Sequence, residues 1–112
     1  MMIKEVKVIQ LSGILDAAQS QEFRKKIDEI LQKESSIKTV LVDFKEVTFM
    51  DSSGLGALVL AFKALNSVDK KFVICSINEQ VRILFELTSM DKIFKIYSNR
   101  EEFNQAVSFG IT

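Results

Sequence analysis

Histidine and proline are absent from this chain of 112 residues, cysteine occurs once and glycine four times. Without histidine the chain lacks the commonest general base and metal ligand, and one thiol cannot build a thiolate zinc site. Most hydrolase and metalloenzyme mechanisms are thereby excluded. With no proline and so few glycines, no flexible linker or domain boundary is marked, nor is there an internal repeat. Residues 1–112 therefore read as a single domain, long enough to bury roughly two-thirds of its unfolded surface without a disulfide or metal staple. Excess charge of one sign is also missing: 15 Lys and Arg balance 15 Asp and Glu. No general field draws nucleic acid or anionic lipid, so partners must be found through a local patch. No apolar stretch approaches the ~20 residues of a membrane span, and Met1-Met2-Ile3-Lys4 leads into a strand pattern without the apolar core of a signal peptide. The expectation is a cytoplasmic protein that binds neither nucleic acid nor membrane.

What is present is an alternation of strand and helix patterns. Val6 to Ser12 reads as a strand that exits at Gly13, and a helix starts near Asp16 with Phe23, Ile27, Ile30 and Leu31 on its inward face. Ile37 to Phe44 is a β-branched central strand. A helix over about Ser53 to Ser67 follows, with Leu55, Leu58, Val59, Phe62 and Leu65 at helical spacing. Lys71 to Ser76 is a strand in which Cys75 is a small buried side chain rather than a nucleophile. Ser76-x-x-Glu79 and Ser98-x-x-Glu101 read as capping boxes opening two further helices, with a short strand at Ile93 to Tyr97 between them. Gly110 ends the order. Short connections between alternating elements imply an α/β fold with a parallel or mixed sheet, in which loops beyond the carboxyl ends of strands carry sites.

One such loop holds the most informative block, Phe49-Met50-Asp51-Ser52-Ser53-Gly54-Leu55-Gly56. Strand, loop and helix meet at Ser52, where unpaired N–H groups and partial positive charge accommodate either a cap or a phosphate. From spacing alone, cap and turn chemistry is the simpler reading. Asp51 either caps the helix or orients the hydroxyl and meets a partner, and both roles stay open. Ser53 lies a step further into the first turn, where its hydroxyl is expected to serve backbone donors. Gly54 and Gly56 suit close approach and turning rather than phosphate cradling, since no lysine follows as in a nucleotide-binding loop. Phe49 and Met50 read as core. A serine hydrolase built on Asp51 and Ser52 has no base to activate the hydroxyl.

The block, together with Leu11-Ser12-Gly13-x-Leu15-Asp16, the strand Val40 to Phe44 and Val81-Arg82-x-Leu84-Phe85-x-Leu87-x-x-Met90-Asp91-Lys92-Ile93-Phe94, resembles the STAS domains, in particular the bacterial anti-sigma factor antagonists. That resemblance spans almost the whole chain. It implies a small mixed sheet with helices packed on one side, and a protein that is phosphorylated and binds rather than catalyses. Ser52 is the phosphoacceptor it implies, with Asp51, Ser52, Ser53, Gly54, Leu55, Gly56, Leu15 and Asp16 as the partner-binding set; for Asp16 an N-cap is the preferred reading. The implied partners are an anti-sigma factor with GHKL-type serine kinase activity and a metal-dependent serine phosphatase. ATP and metals belong to those proteins, and no cofactor is expected here. The alternative is a STAS module serving another signalling partner without a phosphorylation cycle. Family members open with a hairpin, for which residues before Val6 are few, so the first strand is either trimmed to Met1 to Lys4 or missing. An edge left open in this way could pair with a second copy, giving a monomer or a weak homodimer.

Overall fold

The computed structural model describes residues 5–109. It contains β1 (Val6–Leu15), α1 (Ala17–Lys33), β2 (Thr39–Met50), α2 (Ser52–Asn66), β3 (Lys71–Cys75), α3 (Glu79–Leu87), a 3-10 turn (Met90–Lys92), β4 (Lys95–Tyr97) and α4 (Arg100–Ser108). The strands lie side by side in the order β1-β2-β3-β4, and every described pair is parallel. An antiparallel opening strand, like the chain end at Gly110, falls outside the described residues.

Parallel neighbours require crossovers, which are almost always right-handed, and three successive steps in one direction across the sheet put their helices on one face. Accordingly Phe23 and Ile27 of α1, Leu58 and Leu65 of α2, and Val81 and Phe85 of α3 share one core with Val40, Val42, Phe72 and Ile74. The expectation of helices on one side holds for these three, while α4 departs from it. Phe103 and Ala106 of α4 pack with Leu41, Val73, Cys75 and Tyr97 on the opposite face. The reason is visible in β2 and β3: both are apolar on both faces, and α4 follows the last described strand, so no crossover dictates its side. A charged contact fixes it there. Arg100 at its first turn donates from Nε and Nη2 to Asp43 Oδ2 at 3.2 and 3.0 Å, and the Asp43 side chain is only 4% exposed. Burial pushes the adjacent Cys75 thiol up, with the Asp43 charge adding to the effect against an opposing hydrogen bond from Ser76, in keeping with an inert buried side chain.

β1 runs three residues beyond the expected end at Ser12, through Gly13 in the left-handed region at φ 69°, and its register against β2 slips twice, between Gln10 and Ser12 and between Gly13 and Ile14. Each slip is a bulge that reverses the side to which the following residues point. The second one turns Phe49 outward. It is 45% exposed beside its register partner Ile14, at 54%, whereas Met50 is buried, so the reading of Phe49 as core is corrected.

Two caps are also displaced from their expected positions. Ser76 sits at φ 64° and does not cap α3; Asn78 does, accepting from Val81 N at 2.9 Å while its Nδ2 donates to Val47 O and Thr48 O. Before α4, Asn99 accepts from Glu102 N at 2.8 Å and the Glu102 carboxylate accepts from Ser98 N at 2.8 Å, a reciprocal cap one residue later than Ser98 with Glu101. The strand expected from Ile93 is confined to Lys95–Tyr97 because the 3-10 turn uses the Ile93 and Phe94 N–H groups.

The start of α2 presses on the end of β1. A Cβ on Gly54 would stand 2.6 Å from Leu15 O and 2.7 Å from Met50 Cγ, while one on Gly56 would meet nothing within 4 Å. Gly54→Ala is therefore expected to lower unfolding stability by about 1–3 kcal/mol through overpacking. Gly56→Ala is expected to raise it by roughly 0.5–1 kcal/mol, since a helical glycine is replaced without a clash. Urea denaturation of the two variants against the wild type measures both.

Candidate functional site

The site grows out of the carboxyl ends of β1 and β2. Leu15 and Met50 are register partners, and the residue after each is an aspartate that starts a helix. Asp16 Oδ1 accepts from Gln19 N at 3.1 Å, capping α1, and Asp51 Oδ1 accepts from Ser53 N at 2.9 Å and Gly54 N at 3.1 Å, capping α2. Both readings of these residues as N-caps hold in the structure. The two starts are tied together by Asp51 N donating to Leu15 O at 3.3 Å.

Met50, the last strand residue, has no strand partner on the β3 side, because β3 ends opposite Asp43. Gln80 of α3 supplies the missing pairing: its Oε1 accepts from Met50 N and its Nε2 donates to Met50 O, each at 2.9 Å. A side-chain amide thus replaces a strand and fixes the residue immediately before the Asp51 cap. Sequence reasoning missed Gln80, and no local signal marks it, since its role depends on where β3 stops.

Ser52 is the first residue of α2 and is exposed, and its hydroxyl makes no hydrogen bond among the described residues. Ser53 is exposed too, and its hydroxyl, expected to serve the backbone, makes no such bond, because the Asp51 carboxylate already does so. Leu55 is half-buried and Gly56 exposed. Leu15 and Gly54 are buried beneath them, so within the expected binding set they shape the surface from below.

Ser52, Ser53, Leu55 and Gly56 form one wall of a groove of about 670 Å³ between α1 and α2, which Thr88 and Met90 also line. Ala17, Ser20, Gln21 and Arg24 of α1 form the other wall. Among the described residues no cluster of His, Cys, Asp and Glu could hold a metal ion, and no helix is long and apolar enough to cross a membrane. The chemistry on offer is a free hydroxyl at the positive end of a helix, beside a carboxylate committed to backbone donors and without a base to make it a nucleophile.

A profile of the STAS domain matches residues 2–103. The chain belongs to the STAS-domain family. This STAS domain is 33% identical over 94 residues to an anti-sigma F factor antagonist of Paenibacillus polymyxa, covering 84% of this chain and 80% of that one. Its fold superposes on a putative anti-sigma factor antagonist of Thermotoga maritima with a TM-score of 0.85 at 28% identity, covering 96% and 92% of the two chains. It also superposes on the unphosphorylated form of the anti-sigma factor antagonist SpoIIAA with a TM-score of 0.74 at 27% identity, covering 99% and 96%. SpoIIAA, a Bacillus cell fate determinant, has been solved in a phosphorylated form as well, which covers 95% of each chain at 25% identity with a TM-score of 0.71.

Because Asp51 alone satisfies two orphan donors of α2, Asp51→Ala is expected to cost about 1 kcal/mol of stability, and Asp51→Asn, which keeps the cap, a fraction of that. Urea midpoints of the two variants give the comparison.

Proposed function

We propose that this STAS domain is an anti-sigma factor antagonist that acts by partner switching. In its unphosphorylated form it binds an anti-sigma factor with GHKL-type serine kinase activity through the surface around Asp51, Ser52, Ser53, Leu55, Gly56 and Asp16, and the sigma factor held by that kinase is freed. The kinase then transfers the γ-phosphoryl group of ATP to Ser52: the bond from Oγ to phosphorus forms as the bond to ADP breaks, and the hydroxyl proton leaves to a base of the kinase. A metal-dependent serine phosphatase hydrolyses the ester and restores the hydroxyl. The cycle runs in the cytoplasm, and the domain contributes recognition and an acceptor rather than catalysis.

The observation that carries this reading is the exposed, unbonded hydroxyl of Ser52 at the first turn of α2, in a chain similar to anti-sigma factor antagonists. A phosphoserine there adds about −1.5 to −2 charge at neutral pH. The helix tolerates it, because the dianion faces the favourable end of the macrodipole. A docked protein does not. Like charge beside Asp51 and a bulky hydrated group at the contact can cost several kcal/mol, and ~3 kcal/mol weakens binding by roughly two orders of magnitude.

Incubated with the cognate kinase and ATP, the wild type is expected to gain one phosphate by intact-protein mass and Ser52→Ala none. Ser52→Asp is expected to bind the kinase about 100-fold more weakly than wild type in calorimetry. Full phosphorylation of Ser52→Ala would overturn the assignment.

A further inference from the structure

We propose that the groove between α1 and α2 is the receptor for the phosphoryl group on Ser52, with Arg24 as its counter-ion and the Ser20 hydroxyl as a second donor. The inference rests on the phosphorylation reading above and adds where the group goes once it is attached.

Three observations converge. Two of the donors that a phosphate at a helix start would ordinarily use are already occupied: Ser53 N and Gly54 N both donate to Asp51 Oδ1. A dianion on Ser52 keeps the favourable field of the helix start but finds those two donors taken and is repelled by the Asp51 carboxylate that holds them, which favours the groove that Ser52 lines. Arg24 is the single charged side chain lining that groove, and it forms no ion pair among the described residues. Arg24 lines this groove together with Ser52 and also borders the adjoining cavity beside Ala57 and Leu60; helical side chains lean toward the N-terminus of their helix, which for Arg24 is the direction of Ser20 and the helix starts. Finally, Ser20 is 5% exposed, lines the same groove, and its buried hydroxyl has no hydrogen-bond partner among the described residues. A buried donor left without an acceptor is costly, and a phosphoryl oxygen entering the groove supplies the acceptor.

The phosphorylated state is then more than a repulsive surface. The groove is filled from within, and the guanidinium that faced solvent is neutralised by a charge-assisted hydrogen bond. A partner side chain that needs the groove or its positive charge loses both.

Phosphoserine placed at position 52 during translation with a phosphoserine-specific suppressor system tests this without any kinase. The second ionisation of the phosphate is followed by phosphorus NMR in wild type, Arg24→Gln and Lys26→Gln. A guanidinium in contact favours the dianion, so in wild type the transition is expected at a pH lower by about 0.5 or more than in Arg24→Gln. Lys26→Gln, which removes an exposed charge of the same helix outside the groove, is expected to match wild type. The neighbouring carboxylates are Asp16 and Asp51 at the two helix starts, Asp28 one turn beyond Arg24 and Asp91 after Met90. They are unchanged in all three proteins and cancel in the comparison. Identical curves for wild type and Arg24→Gln, or an equal change in Lys26→Gln, would overturn the proposal. Since the phosphoserine is inserted during translation, these outcomes are independent of whether the kinase modifies Ser52, which the mass measurement decides.

Discussion

The contact of Gly54 with Leu15 is the constraint on which the site depends. A helix that begins where a strand ends can sit at many angles, and here the missing side chain lets the first turn of α2 settle onto the carbonyl of Leu15 at a distance no Cβ would permit. The Asp51 amide then reaches that same carbonyl. With two attachments one turn apart, the direction of the first turn is fixed, and Ser52 is held outward on its rim. The glycine is therefore explained by the domain's own packing.

From that attachment follows a division of labour among the polar groups at the helix start. Asp51 Oδ1 accepts from two backbone donors and Gln80 holds the strand end, and neither side chain bonds the Ser52 hydroxyl. Rigidity comes from side chains bonded to the backbone of the helix start and strand end, and the Ser52 hydroxyl stays outside those bonds. An acceptor for an external enzyme has this requirement: it must be presented identically each time, yet hold no internal bond that would have to break first.

The parts of this arrangement that were legible in the sequence are those decided within a few residues. Asp16 and Asp51 as caps, the helical stripe from Leu55 to Leu65 and the strand around Val40 to Phe44 follow from local chemistry and periodicity, and the structure repeats them. What escaped was decided at a distance. Phe49 reads as core in a pattern that alternates regularly, but a bulge paired with Gly13 on another strand reverses the alternation. Ser76 satisfies a local capping rule, yet Asn78 takes the cap because its amide can also bond the carbonyls of Val47 and Thr48, some thirty residues earlier in the chain. Gln80 has meaning only through the early end of β3, and the placement of α4 only through Asp43, whose partner Arg100 is remote in sequence. Arg24 belongs to the same class: on α1 it reads as one more solvated cation, and it acquires a neighbourhood when α2 is laid alongside.

Among the described residues the order of strands in space is their order along the chain, each lying beside the one before it. Synthesis from the ribosome proceeds in that direction too, with earlier segments free to fold before later ones emerge. Every new strand finds its neighbour already made, and no segment must wait for a distant one to be inserted between two others. Parallel pairing is slow because each strand must close a crossover before it is rewarded, and this order limits each closure to the one between successive strands. The last described helix, α4, lays its apolar stripe over the face that the crossover helices leave uncovered, so a chain cut short before residue 100 would present the bare underside of β2 and β3 to other molecules.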